Sequence, residues 1–119
     1  MGNRATLEVI SSNYTGNTTP CYIYLHWQGS PETVIELVKG AAPNMRKADV
    51  SYATARLIAH ICSKVDGGLS VGVSPPTREW KNVLDNGHYV IDISNGHITH
   101  NNDNGDDKVI AAAIKFGDF

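Results

Sequence analysis

The stretch YLHWQGSPE, residues 24–32, joins the end of a strand pattern to the start of a helix pattern. Apolar and polar residues alternate over 21–27, which predicts a half-buried strand. Serine, proline and glutamate then follow at 30–32, a combination typical of the first turn of a helix. The residues expected to face the core are Cys21, Ile23, Leu25 and Trp27. His26 then faces the opposite way.

Residues 4–10 show the same alternation, and residues 11–19 between the two strands are rich in Ser, Asn and Thr. An antiparallel pair joined by a long loop is therefore predicted. If Thr6 lies opposite Tyr24, then Arg4 lies opposite His26. This register places the apolar side chains of both strands on the other face, and a slip of one residue would reverse every side chain.

Two helices are predicted after this strand pair. The first runs from Pro31 to Gly40, and the second follows a capping Asp49 and runs to about Val65. Apolar positions of the second helix define its inner side. The polar residues on the opposite side are Tyr52, Arg56, His60 and Ser63.

The last third of the chain predicts three further strands and a final helix. A strand is expected over 69–73, a helical turn or two over 77–84 with Trp80 inward, and a hairpin of 88–93 with 97–100 about Asn95-Gly96. In that hairpin Ile93 pairs with Ile98. Residues 108–116 predict a short C-terminal helix, with an edge strand as the alternative.

This order of elements predicts a single α+β domain spanning 1–119. Its core would be a small antiparallel β-sheet of about five strands, covered on one face by two to three helices. A chain of 119 residues is the size of one such domain.

Composition narrows the classes of function. The apolar runs are too short to span a bilayer, and the N-terminus lacks the charged-then-apolar layout of a secretory signal, so we expect a cytoplasmic protein without a membrane partner. The net charge of −2 argues against a nucleic-acid-binding protein, because such proteins carry a clear excess of basic residues. Cys21 and Cys62 are expected to be free, buried thiols. No motif predicts a metal or a cofactor.

Two groups of polar residues are candidate binding surfaces. Arg4, Tyr22, Tyr24 and His26 share the outer face of the first strand pair, close to the predicted start of the first helix. Such a set suits a phosphate, a carboxylate or a protein partner. A solvated cross-strand pair with two sheet-favouring tyrosines is the alternative. A stripe of Tyr52, Arg56 and His60 on the second helix offers another surface, with a solvated helix face as its alternative.

The sequence supports a catalytic site less strongly than it supports these binding surfaces. His88, Asp92 and His97 share the outer face of the last hairpin, but no Ser or Cys nucleophile stands in a suitable context and no third metal ligand follows. We therefore assign no catalytic residue. The sequence favours a binding protein and leaves a small nucleotide phosphodiesterase-like hydrolase, with His26 as acid or base, as an alternative.

Four short motifs resemble a family of small, mostly uncharacterised proteins of phages and mobile elements. They are MGNRA at 1–5, YLHWQG at 24–29, YATAR at 52–56 and DNGHYVID at 85–92. The resemblance extends over residues 1 to about 94. The positions it shares with the family pattern are Asn3, Arg4, His26, Trp27, Tyr52 and Arg56.

The resemblance implies a phage accessory protein that inhibits a bacterial defence system inside the host cell. Its partner would be a host defence protein, contacted in the manner of anti-CRISPR proteins, or a cyclic nucleotide immune signal held by a sponge protein. A homo-oligomer fits either function. The binding residues would be Arg4, Tyr24, His26, Tyr52, Arg56 and His60.

Overall fold

The computed structural model describes residues 4–14, 18–64, 71–76, 85–101 and 107–111. These residues form a six-stranded sheet and two α-helices. The strands are β1 (Ala5–Ile10), β2 (Tyr22–Leu25), β3 (Val71–Ser74), β4 (His88–Asp92), β5 (His97–Asn101) and β6 (Asp107–Ala111). The helices are α1 (Pro31–Ala41) and α2 (Val50–Lys64), separated by a single 3₁₀ turn at Ala42–Asn44.

The strand order is β3-β2-β1-β4-β5-β6, and the α+β class is confirmed. The sheet has one strand more than expected, and it is mixed because β1 and β4 pair in parallel. Parallel neighbours need a long crossover connection, and the segment between β1 and β4 contains both helices. The other four pairings in the described sheet are antiparallel.

The register between β1 and β2 is confirmed, with Thr6 opposite Tyr24 and Leu7 opposite Ile23. Leu7 and Ile23 therefore point toward the helices, where both are fully buried. Thr6 and Tyr24 point to the other face of the sheet, since successive side chains alternate along a strand.

The expected register of the last hairpin is wrong by two residues. Ile98 pairs with Ile91, and four residues, 93–96, form the turn. Local hydrogen bonds favour this wider turn. The backbone N–H of Gly96 donates to the carbonyl oxygen of Asp92 at 2.9 Å, and Asn95 Oδ1 accepts from the N–H of His97. A slip of two residues keeps each side chain on its face, so Ile91 and Ile98 remain in the core.

The predicted C-terminal helix is wrong over residues 108–111, where the edge-strand alternative holds, because Asp107–Ala111 form the edge strand β6. Thr99 of β5 pairs with Val109 in that strand. Pairing with a neighbouring strand supplies backbone hydrogen bonds that a local sequence pattern does not reveal. Residues 112–116, the predicted helical turns at 77–84 with Trp80, and the first two residues of the predicted strand 69–73 lie outside the described residues.

Both predicted helix starts are confirmed. Asp49 Oδ1 accepts a hydrogen bond from the backbone N–H of Tyr52 at 3.0 Å, which caps α2. Pro31 opens α1, and the carbonyl of Ser30 accepts its first helical hydrogen bond from Val34. The predicted side-chain cap by Ser30 is wrong, because its hydroxyl accepts no backbone N–H and instead donates to Thr33 Oγ1 at 3.1 Å.

Both helices pack on one face of the sheet. Their apolar sides and the inward residues of β1, β2, β4 and β5 form one core cluster. Its largest fully buried members include Leu7, Ile23, Leu25, Met45, Leu57, Ile61, Tyr89, Ile91, Ile93 and Ile98. No helix among the described residues is both long enough and apolar enough to cross a membrane.

Both cysteines are free, as expected, but the expectation that they are buried is wrong. Cys62 is exposed on α2, and Cys21 is half-buried just before β2. Partial burial raises the pKa of the Cys21 thiol, because the thiolate is less well solvated there.

Candidate functional site

Three of the predicted binding residues, Arg4, Tyr24 and His26, come together at one corner of the sheet face that the helices leave uncovered. The Tyr24 hydroxyl lies 2.8 Å from His26 Nδ1, within hydrogen-bond distance. The His26 ring meets the Trp27 ring edge-on, with 4.8 Å between centroids. Arg4 pairs with Asp85 at the same corner. We call Arg4, Tyr24, His26, Trp27 and Asp85 the aromatic corner.

Arg4 is held by Asp85 through three contacts. Its Nε and Nη2 donate to the two carboxylate oxygens at 3.2 and 3.4 Å, and its backbone N–H donates to Oδ2 at 3.2 Å. The hydrogen bond with Arg4 lowers the pKa of Asp85, and that with Asp85 raises the pKa of Arg4. The Arg4 charge is therefore already balanced by a carboxylate.

The expectation that Trp27 belongs to the core is wrong, because 44 % of this residue is exposed. Strand β2 ends at Leu25, and Gln28 adopts a φ of 63°, so the strand alternation does not continue to Trp27. The indole therefore lies at the surface beside the exposed His26, a position that alternation alone did not predict. The end of the strand and the turn at Gln28 place it there.

Tyr52 and Arg56 form a second group on α2, together with an arginine that the sequence did not single out. The Cζ atom of Arg56 lies 4.9 Å from the centre of the Tyr52 ring, and that of Arg46 lies 4.3 Å from it. Arg46 precedes the helix, so helical spacing could not find it. Its position just before the capping Asp49 was the only signal in the sequence. We call Arg46, Tyr52 and Arg56 the arginine–tyrosine cluster.

His60 lies against α1, where its ring packs over Gly40. A Cβ atom at Gly40 would come within 2.3 Å of His60 Nε2, so the close approach depends on glycine at this position. His60 also lines a cavity of about 340 Å³ between the two helices, together with Gln28, Thr33, Glu36, Leu37 and Lys64.

The six predicted binding residues therefore do not form one site. Tyr24 and His26 lie on the sheet face opposite to the one that packs against the helices, whereas Arg56 and His60 belong to α2 on the helical side. A single pocket built from Arg4, His26 and Arg56 is not assembled in the structure.

A buried polar group that the sequence did not predict surrounds His88. Its Nδ1 lies 2.7 Å from Thr6 Oγ1 and its Nε2 lies 2.9 Å from Glu8 Oε1. The Tyr22 ring packs against the imidazole at 4.6 Å between centroids. Thr6, Glu8, Tyr22 and His88 are called the His88 network. Thr6 meets His88 only because β1 and β4 are parallel neighbours, which local patterns do not indicate.

The Thr6 hydroxyl, the His88 imidazole and the Glu8 carboxylate are linked in a row of contacts that resembles a nucleophile with its base. This arrangement nevertheless does not suit hydrolysis. The exposed fraction is 0 % for Thr6 and 1 % for His88, so a substrate carbonyl or phosphate has no access to the hydroxyl. The contacts instead satisfy buried polar atoms, as a stable sheet requires.

Asp92 is a second buried polar residue on β4, and it does not bond to His88 or His97. Its carboxylate accepts hydrogen bonds from the hydroxyl and backbone N–H groups of both Ser12 and Ser94, at 2.5 to 3.2 Å. Burial by itself would raise the pKa of Asp92, but these hydrogen bonds outweigh it and lower the pKa. The hydrogen bonds join the loop after β1 to the turn after β4.

No group of three His, Cys, Asp or Glu side chains with the arrangement of a metal site occurs in the described parts of the chain. Comparisons with protein-family models, with curated proteins and with solved structures gave no match. The candidate functional features of the described residues are therefore the aromatic corner, the arginine–tyrosine cluster and the His88 network.

Proposed function

We propose that this protein is a phage-encoded inhibitor of a bacterial defence system that acts by binding, through contact between the aromatic corner and an effector protein. The observation that carries the proposal is the exposed Trp27, set edge-on against His26 beside Tyr24. The origin and the target class come from the sequence resemblance. The corner supplies the contact surface.

The composition of the corner suits a protein interface. Trp, Tyr and Arg are the residues that most often contribute the largest share of binding energy in such interfaces. The Tyr24–His26 contact and the Arg4–Asp85 pair limit side-chain motion, so less entropy is lost when a partner binds.

A sponge for a cyclic nucleotide is the alternative, and the geometry gives it less support. Nucleotide capture through Arg4, His26 and Arg56 requires these side chains to meet around one phosphate. Arg4 instead pairs with Asp85, and Arg56 packs on Tyr52 at the other side of the sheet. The same separation argues against a phosphodiesterase centred on His26.

Trp27→Ala tests the proposal, with Tyr14→Ala as a matched control because both aromatic residues are 44 % exposed. Bacteria that carry one defence system each, CRISPR effectors included, would express the chain and be challenged with a phage that the system restricts. The expected result is a rise in plating efficiency in at least one strain, lost at least tenfold in Trp27→Ala and retained in Tyr14→Ala.

Size-exclusion chromatography of the purified chain with the effector of the responsive strain would then show a joint peak that Trp27→Ala abolishes. Mass spectrometry of the denatured protein would reveal a bound cyclic nucleotide if the alternative holds. Unchanged plating efficiency in every strain would refute the proposal. Equal activity of Trp27→Ala and the unmodified chain would show that the aromatic corner is not the surface that contacts the effector.

A further inference from the structure

The arginine–tyrosine cluster presents two guanidinium groups on one aromatic ring. The Cζ atoms of Arg46 and Arg56 lie 4.3 and 4.9 Å from the centre of the Tyr52 ring, so they are no further apart than the sum of these distances. Arg46 and Arg56 are both exposed, and Tyr52 is half-exposed. Both cations are thus accessible from solvent.

Neither guanidinium forms an ion pair with a carboxylate of the described residues. Arg4, by contrast, is bonded to both oxygens of Asp85. The nearest acidic residue in sequence, Asp49, caps α2 by accepting the backbone N–H of Tyr52 through Oδ1. Two like charges close together repel each other, and the negative face of the tyrosine ring offsets that repulsion only in part. An anion that contacts both arginines would relieve it.

The geometry points to an anion-binding site at Arg46, Tyr52 and Arg56 that takes the carboxylates of an acidic protein segment. Guanidinium groups bind carboxylates through paired, planar hydrogen bonds, and two of them held at a fixed spacing suit neighbouring Glu or Asp side chains. Contact with the Tyr52 ring restricts both guanidinium groups before the ligand arrives.

Charge favours a protein segment over a nucleic acid. The whole chain has a net charge of −2, whereas nucleic-acid binding depends on a broad basic surface that neutralises several phosphates. Two arginines form a local basic site on an acidic protein, and a short acidic segment matches that size. The site lies on the helical side of the sheet, so it is separate from the aromatic corner and does not depend on the proposed function.

Fluorescence anisotropy with a labelled peptide of alternating Glu and Ser residues tests the assignment at low and physiological salt. The variants are Arg46→Gln, Arg56→Gln and Tyr52→Leu, with Tyr52→Phe retaining the ring. Lys39→Gln is the matched control, since Lys39 is an exposed cation on α1. Each arginine variant is expected to weaken binding at least tenfold and Tyr52→Leu severalfold, while Tyr52→Phe and Lys39→Gln stay within twofold.

Two further probes separate the kinds of ligand. A Gln-for-Glu version of the peptide should not bind, and a single-stranded oligonucleotide of equal charge should bind more weakly than the Glu peptide. Equal losses in Lys39→Gln and Arg56→Gln would mean that only net charge matters, and would overturn the site. Tighter binding of the oligonucleotide, lost in the same arginine variants, would overturn its assignment to carboxylates. All the substituted side chains are at least partly exposed, and circular dichroism would verify that each variant folds.

Discussion

Two histidines on the same face of the sheet have opposite surroundings. His26 follows the end of β2, is exposed, and contacts Tyr24 and Trp27. His88 opens β4, is buried, and has both ring nitrogens within hydrogen-bond distance of β1 side chains. Strand alternation gives the face on which a histidine lies, but its place within the sheet decides whether it contacts solvent or supports the fold.

Substitutions of these two histidines should differ most in their effect on the free energy of unfolding. His88→Ala removes a buried ring, its contact with the Thr6 hydroxyl and its contact with Glu8, so it should lower the free energy of unfolding by about 3 kcal/mol. His26→Ala should change it by less than about 0.5 kcal/mol, as is usual at exposed positions. Urea denaturation of both variants measures the contrast. Similar losses in the two proteins would mean that the His88 network contributes no more than a surface contact.

A second buried polar group on β4, Asp92, should give a smaller effect that depends on pH. Its pKa is lower in the folded chain than the ordinary value of 3.8, so it stabilises the fold above that value and loses this contribution as the pH falls through the folded pKa. Asp92→Asn should cost about 1 kcal/mol at pH 7. The wild-type free energy of unfolding should approach that of the variant as the pH falls below 3.8. A difference that stays constant with pH would contradict the role of the charged form.

The smallest expected effect concerns His60 and Gly40. Alanine is favoured over glycine inside a helix by up to about 1 kcal/mol, but a Cβ at Gly40 collides with the His60 ring. Gly40→Ala should therefore stabilise the His60→Ala variant by about 0.5 kcal/mol and give a smaller gain, or none, in the wild type. A double-mutant cycle of melting curves isolates the coupling. Additive effects would show that the two residues do not restrict each other.

The contrast between Trp27 and Leu25 shows where prediction from sequence stops. Both residues belong to the same alternating pattern, and Leu25 is fully buried as predicted. Trp27 is exposed because the strand ends between them and the backbone turns at Gln28. Local patterns give the face of each residue within a strand, whereas the residue at which the strand ends depends on which neighbouring strand is there to pair with it.

The candidate surfaces show the same limit. Tyr24 was placed correctly opposite Thr6 because the antiparallel register follows from alternation, and its hydroxyl lies 2.8 Å from His26 Nδ1. Arg46 was missed because it lies in the connection before α2, where no periodic pattern indicates that it contacts Tyr52. The His88 network was missed because it depends on a parallel pairing between strands 80 residues apart in the chain.

The sequence by itself determined the α+β class, the start of α1 at Pro31, the Asp49 cap of α2, and the face of the residues in β1, β2, β4 and β5. These features depend on capping, proline geometry and alternation, which act over a few residues. Only the tertiary structure decided the central parallel pair, the edge strand β6, the exposure of Trp27 and the burial of His88. Each of these depends on which distant segments lie side by side, because burial and strand pairing are set by the whole sheet.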